Sequence, residues 1–344
     1  MQAVILAAGK STRTYPLTLT RPKPLLKIAN KAILDYNLEA LGNLADEIII
    51  LVGYKQKMIK KFTSQRYPNL NIIYVEQKEQ LGTGHALLVL KDYIKGRFIL
   101  LLGDNIYSKA DMKSISKHKY SILVKQVQNW GNFGVIVEKN GIVTDIIEKP
   151  EKFISDIINC GLFSFDEKIF RFLKKTKKSE RGEYELTDAL KMLAEEKTLK
   201  CVKSSLCPQI SYSWDLLAAD SELRKNKTLI GPNSKITGTI KNSTIGNNCV
   251  IAGDVTNSII MDNTVIEKGS IVEDSIIGEN VHFKGKIIAK NNVCSRVKDA
   301  KIKVGRLGAV IGDNVNAKNV IINAGCKIWP SKKIKNRTIE SDIL

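Results

Sequence analysis

Metal-ligand and disulfide signals are missing from this chain. Its six cysteines stand at 160, 201, 207, 249, 294 and 326, and no two form a Cys-x-x-Cys pair. Its histidines, at 85, 118 and 282, have no ligand spacing. A structural zinc site and a disulfide framework are thereby excluded, and a reducing, cytoplasmic setting is expected. Long apolar runs are absent as well. Ile48 to Val52 and Phe98 to Leu102 are strand-length, too short to cross a bilayer, and no charged segment followed by an apolar core opens the chain. Neither a membrane partner nor export is expected. Acidic residues are scarce beside basic ones, 35 against 54. The excess is spread, with 34 Lys and Arg against 25 Asp and Glu in residues 1–222 and 20 against 10 in residues 223–344. With no aromatic-interleaved basic motif, it reads as solvated lysines and a positive field for anionic substrates, not as a specific nucleic-acid surface.

The chemistry is concentrated near the start. Ala3-Val4-Ile5-Leu6-Ala7-Ala8-Gly9-Lys10-Ser11-Thr12-Arg13 runs from a strand into a small-residue loop that ends in a cation. Such loops present backbone N–H groups to anions. Lys23 follows within Arg21-Pro22-Lys23-Pro24, where two prolines stiffen the backbone. A Walker A loop would need glycine five positions before Gly9, and Val4 stands there.

Two architectures succeed one another. Apolar runs at 2–7, 47–53, 71–76 and 98–103 alternate with amphipathic stretches at about 32–43, 55–66 and 83–92. This alternation predicts βαβ units, a mostly parallel sheet and a Rossmann-like three-layer α/β domain, with ligands beyond the carboxyl ends of the strands. Further strands are expected at 121–127, 133–138, 142–147 and 158–165, and helices at 188–196 and 215–224. Near residue 228 apolar residues begin to recur every five or six positions, at Ile230, Ile236, Ile240, Ile245, Val250, Val255, Ile260, Val265, Ile271, Ile276, Val281, Ile287 and Val293. Small polar residues fill the gaps, which is hexapeptide repetition and predicts a parallel β-helix. The pattern breaks at 294–307 and resumes at Ile311, Val315, Val320 and Ile328. The expected domains are 1–226, 227–331 and a charged tail at 332–344.

Leu6-Ala7-Ala8-Gly9, Thr12-Arg13, Pro16-Leu17-Thr18 and Pro22-Lys23-Pro24 together resemble the opening of the sugar-1-phosphate nucleotidylyltransferases. Gln77-Lys78-Glu79-Gln80-Leu81-Gly82-Thr83-Gly84, Leu101-Leu102-Gly103-Asp104-Asn105 and Glu148-Lys149-Pro150 extend the likeness. The resemblance implies a left-handed β-helix after the catalytic domain. It also implies transfer of a nucleotidyl group, from UTP or dTTP by preference, to glucose-1-phosphate or N-acetylglucosamine-1-phosphate, with release of pyrophosphate. It makes Arg13, Lys23 and Lys149 the catalytic cations. Leu6, Ala7, Ala8, Gly9, Gln77, Gly82 and Thr83 become nucleotide contacts, and Gly134, Glu148 and Asn159 sugar contacts. Asp104 and Asp215 become ligands of Mg²⁺, which takes one or two carboxylates alongside phosphate oxygens. Ser11 stands where many members carry glycine, and Glu183 to Asp188 resembles a segment at the back of the sugar pocket. Guanylyl transfer to mannose-1-phosphate, or a non-catalytic regulatory subunit, is the competing reading. Some relatives carry an acetyltransferase in the β-helix, but Lys268 occupies the place of its histidine and Ile271 that of its tyrosine. No acetyl transfer is expected, and the β-helix is assigned to homo-oligomer assembly or regulation.

Overall fold

The computed structural model describes residues 1–131 and 133–344; Asn132, part of the expected Phe133-Gly134 element, lies outside the described residues. By contact the chain divides into two compact units, Met1–Gly9 with Ile33–Cys207, and Lys10–Ala32 with Pro208–Leu344. The segments 10–32 and 208–226, expected with the amino-terminal domain, therefore cluster with the β-helix.

The first unit is built on a nine-stranded sheet. Its strands are β1 (Gln2–Ala7), β2 (Glu47–Val52), β3 (Ile72–Glu76), β4 (Phe98–Leu102), β5 (Ser121–Gln126), β6 (Gly134–Lys139), β7 (Ile142–Glu148), β8 (Ile157–Phe165) and β9 (Lys200–Lys203), in the order β3-β2-β1-β4-β8-β5-β9-β7-β6. Strands β3, β2, β1 and β4 are parallel. Their near-continuous apolar sequences suit strands covered on both faces. The sheet departs from the mostly parallel expectation beyond β4, because β8 runs antiparallel to both β4 and β5. A bulge in β8 between Asn159 and Phe163 re-aims this strand at the same edge where β4 ends. Helices Ile33–Leu41, Gln56–Arg66, Thr83–Leu88 and Leu186–Ala194 form near where the sequence places them, as does Asp215–Leu223 in the second unit. The helix Lys109–Ser116 was not read from the sequence. It starts at a capping box between Ser108 and Asp111.

In the second unit short parallel strands stack into ladders. One runs through residues 229–230, 244–245, 259–260, 276–277, 310–311 and 327–328. Two others, begun at 235–236 and 240–241, are joined by the longer strand His282–Ile287. This is a parallel β-helix, consistent with the left-handed form. Its core holds Ile245, Val255, Ile260, Val281 and Ile287 as expected, but Ile251, Ile266, Val272 and Ile277 in place of the preceding β-branched residues. Val250 is 43% exposed. Side chains alternate along a strand, so only one member of each apolar doublet can face inward. The break at 294–307 is a hairpin, Lys290–Val297 with Ala300–Leu307. Residues 332–344 are no loose tail. Lys333–Ile339 pairs with Asn316–Ile322 and buries Ile334 and Ile339 in the same core.

Candidate active site

In the first unit the register sets a row. Ala7, Val52 and Glu76 are paired across β1, β2 and β3, and Leu6 is paired with Leu102. Ala8, Gly53, Gln77 and Asp104 are therefore the residues that leave the sheet together at its carboxyl edge. The Ala8 carbonyl accepts from the Tyr54 N–H at 3.0 Å and from Gln80 Nε2 at 2.8 Å, which pins the loop. Leu6 is half-buried, Ala7 and Ala8 are buried, and Gly9 is exposed with nothing within 4 Å of where a Cβ would stand. The glycine loop thus leaves room for a ligand.

Gln77 is buried, and its Nε2 lies 3.2 Å from His85 Nδ1. His85 orients this amide. Gly82 has φ +103, and a Cβ there would stand 2.6 Å from the Tyr184 carbonyl oxygen. Tyr184 N–H donates to the Leu81 carbonyl and Gly84 N–H to the Tyr184 carbonyl, each at 2.8 Å. Thr83 Oγ1 accepts from Leu186 N–H at 3.2 Å. The Gly82-Thr83 turn and the Glu183–Asp188 segment are laced together by these bonds.

The sugar-side candidates also converge. Gly134 and Glu148 are direct cross-strand partners. A Cβ on Gly134 would lie 3.0 Å from Glu148 Oε2, 3.5 Å from Thr187 Cγ2 and 3.8 Å from Asn159 Cβ, so these three side chains meet around the glycine. Thr187 Oγ1 is buried with no hydrogen-bond partner among the described residues. Asn159 Oδ1 accepts from Gly161 N–H at 2.8 Å, so what Asn159 offers a ligand is its amide N–H pair. Burial raises the Glu148 pKa, and Lys149 and Arg181 pull against that rise. Arg181 donates to Glu185 Oε1 at 2.7 Å and lies 3.4 Å from Glu148 Oε1, and the Lys149 ammonium is 4.0 Å from the same oxygen. Arg181 was not singled out in the sequence.

The second unit gathers the other candidates. Arg13 lies in the short helical turn Thr12–Thr14, entered through Ser11 at φ 50. Thr14 and Thr18 both donate to the Ser11 carbonyl, at 2.7 and 2.9 Å. Lys23 is buried and donates from Nζ to the Ile210 carbonyl at 2.6 Å. Asp215 Oδ2 accepts from the Ser211 and Tyr212 N–H groups, each at 2.7 Å. Burial raises the Asp215 pKa; those two bonds, Lys23 and Arg13 oppose the rise. Arg13, Lys23 and Asp215 are thus electrostatic neighbours. The segment that carries both cations is strapped to the β-helix. Arg21 pairs with Glu279 and Asp313, Thr20 Oγ1 donates to Asp313 at 2.6 Å, Lys27 pairs with Asp262, and Asn30 Nδ2 donates to the Ile245 carbonyl at 2.7 Å. No local pattern in the sequence announces these straps.

Among the described residues no group of three or more His, Cys, Asp or Glu could hold a metal ion. Single carboxylates such as Asp104 and Asp215 nonetheless fit Mg²⁺, which keeps water and phosphate oxygens and seldom uses an all-protein cage. Cations set beside carboxylates, Arg13 and Lys23 near Asp215 in one unit and Lys149 and Arg181 near Glu148 in the other, suit the charge neutralisation that transfer between phosphate groups requires.

Comparison with known proteins narrows the class. Residues 2–207 match the family model described as nucleotidyl transferase, and residues 221–344 match the GMPPB C-terminal domain. Bifunctional protein GlmU of Methanocaldococcus jannaschii is 41% identical over 249 residues, covering 71% of this chain; this chain spans 58% of that relative. The GlmU of Methanococcus vannielii is 35% identical over 406 aligned positions, covering 100% of this chain and 96% of its own length. UTP–glucose-1-phosphate uridylyltransferase AglF of Haloferax volcanii is 34% identical over 241 residues, 66% of this chain and 98% of its own. The chain belongs to the nucleotidyl transferase family, among its sugar-1-phosphate nucleotidyltransferases.

Proposed function

We propose that the chain transfers a uridylyl or thymidylyl group from UTP or dTTP to glucose-1-phosphate or N-acetylglucosamine-1-phosphate, releasing pyrophosphate, in the cytoplasm and with Mg²⁺. The row Ala8–Gly53–Gln77–Asp104 at one sheet edge carries this reading, since it sets a buried amide and a carboxylate at the edge where the exposed Gly9 loop leaves the sheet. An oxygen of the sugar phosphate attacks the α-phosphorus. The bond from that phosphorus to the bridging oxygen breaks, and the electron pair leaves with pyrophosphate. The nucleophile is already anionic, so no protein base is needed, and catalysis reduces to orientation and charge neutralisation. In this scheme Leu6 to Gly9 line the triphosphate, and Arg13 and Lys23 hold its oxygens, Arg13 through its planar fork. Gln77, fixed by His85, donates to one pyrimidine group and accepts from another, with Gly82 and Thr83 alongside the base. Gly134, Glu148, Asn159 and the unpaired Thr187 hydroxyl take the sugar hydroxyls, and Lys149 takes the sugar phosphate. Asp104 and Asp215 are the carboxylates for Mg²⁺, which when bound neutralises charge on the phosphates.

AglF, whose name specifies UTP and glucose-1-phosphate, supports the pyrimidine preference by likeness. The half-exposed Ile230, Val250 and Ile321 of the β-helix support a homo-oligomer. No helix among the described residues is long and apolar enough to cross a membrane. The test is pyrophosphate release over four nucleoside triphosphates and several sugar 1-phosphates, with and without Mg²⁺. Turnover with UTP or dTTP that is lost in Asp104→Ala is the expected result. Turnover with GTP and mannose-1-phosphate alone selects the guanylyl alternative, and none with any pair selects the regulatory one.

A further inference from the structure

The hairpin 290–307 interrupts the β-helix without joining its core. Its Val297, Val304 and Leu307 are buried instead with Trp214, flanked by Val293, Ile302, Tyr212 and Leu217. Ser295 Oγ seats it on the coil below by donating to the Gly325 carbonyl at 2.8 Å. Two residues on, Lys327 is 2% exposed and makes no ion pair among the described residues. Its Nζ donates to the Arg296 carbonyl of the hairpin at 2.7 Å and stands 5.0 Å from the centroid of the Trp214 ring. Trp214 stacks on Tyr212, with centroids 4.9 Å apart and 20° between planes. The N–H of Tyr212, with that of Ser211, holds Asp215 Oδ2.

A buried ammonium is costly; Asp342, whose Oδ1 accepts from the Lys327 N–H at 2.8 Å, offsets only part of that cost, and an apolar side chain would fill the space at lower cost. What lysine adds is a fixed cation over an aromatic face, with one donor tied to the hairpin. We propose that Lys327 is a positioning residue for Asp215: it clamps the Trp214 ring against the hairpin and thereby fixes the loop 211–215. The β-helix then sets the geometry of a reacting carboxylate as well as serving assembly. This inference rests on the proposed role of Asp215.

The experiment uses the full chain with Lys327→Met, Lys327→Arg and Asp215→Asn. Hydrogen exchange is followed in the peptide that contains Ser211 and Tyr212, and pyrophosphate release gives kcat and KM. In Lys327→Met, exchange at these amides should rise at least tenfold. Turnover should fall about tenfold with both KM values within twofold of wild type, and Lys327→Arg should restore both. Unchanged exchange in Lys327→Met overturns the proposal. So does equal loss in Lys327→Met and Lys327→Arg with a collapsed melting temperature, because packing alone then accounts for the residue. If Asp215→Asn retains full turnover, the role of Asp215 falls, while the exchange result still decides whether Lys327 holds the loop.

Discussion

Arg21→Leu tests how the cation-bearing segment is held. Arg21 and Asp313 are buried, the Asp313 side chain 5% exposed and that of Glu279 22%. Removing one partner of a buried ion pair costs about 3–5 kcal/mol, because the remaining charge is left without compensation. Asp313 keeps the Thr20 hydroxyl and the Glu279 N–H, at 2.6 and 2.8 Å, and Glu279 is partly in water. The loss should therefore fall at the low end, about 3 kcal/mol, or roughly a hundredfold in the unfolding equilibrium. Urea unfolding monitored by tryptophan fluorescence should show a midpoint lowered by on the order of 1 M. Arg21→Lys, which keeps charge but not the two-pronged geometry, should recover part of this. Turnover should also drop, since Lys23 lies two residues away on the same strap. A midpoint within about 0.2 M of wild type, with kcat unchanged, would refute the reasoning: the strap would then be held without these pairs.

Other perturbations follow from the same contacts. Burial raises the pKa of Asp215 and Glu148, so the folded state keeps their protons to higher pH than the unfolded chain does. Stability is lost as pH rises from the ordinary carboxylate range through the raised values. Asp215→Asn should accordingly be at least as stable as wild type near neutrality while losing turnover, checked by thermal melts and pyrophosphate release at matched pH. Burial pushes Lys327 down from 10.5 to about 8. Between these values the unfolded chain binds more protons, so stability rises with pH, and the wild-type-minus-Lys327→Met difference in unfolding free energy should show that rise. Gly82→Ala forces a side chain onto a residue at φ +103 against the Tyr184 carbonyl, a strain of about 1–3 kcal/mol. It should lower the melting temperature and raise the KM for the nucleotide. His85→Leu should weaken discrimination among nucleotides by freeing the Gln77 amide, measured as the ratio of kcat/KM for UTP and CTP.

The strands at 2–7, 47–53, 71–76 and 98–103 were legible because each is an unbroken apolar run, and the row of edge residues follows from their parallel register. Lys200–Lys203 was not legible: Lys-Cys-Val-Lys carries no apolar run, and it is a strand because it pairs with Ser121–Gln126 and touches Ile142. Doublets such as Val250-Ile251 fixed the repeat but not which residue turns inward, a choice made by the coil's corners. Lys333–Ile339 looked like a tail because its lysines are exposed on the outer face, while Ile334 and Ile339 alone reach the core. The motifs point to Arg13, Lys23 and Asp104, but they carry no sign of what His85, Gln80, Arg21 and Lys327 bond to. Arg21 and Lys327 act through partners hundreds or tens of positions away, and His85 and Gln80 through orientation, which spacing does not encode.

The coils of the second unit also make length a discrete variable. Thr244 lies beside Ile259, and Ile259 beside Ile276, so one circuit of backbone repeats itself without altering the neighbours above and below. Asparagines in the left-handed region, at 248, 263, 280 and 314, turn successive corners. A whole circuit can be gained or lost by duplication or deletion while the corners still match, and the longer step from Ile259 to Ile276 than from Thr244 to Ile259 shows that a coil also absorbs two extra residues without losing register. Coils that carry none of the strap partners Ile245, Asp262, Glu279 and Asp313 are the places where a winding is expendable.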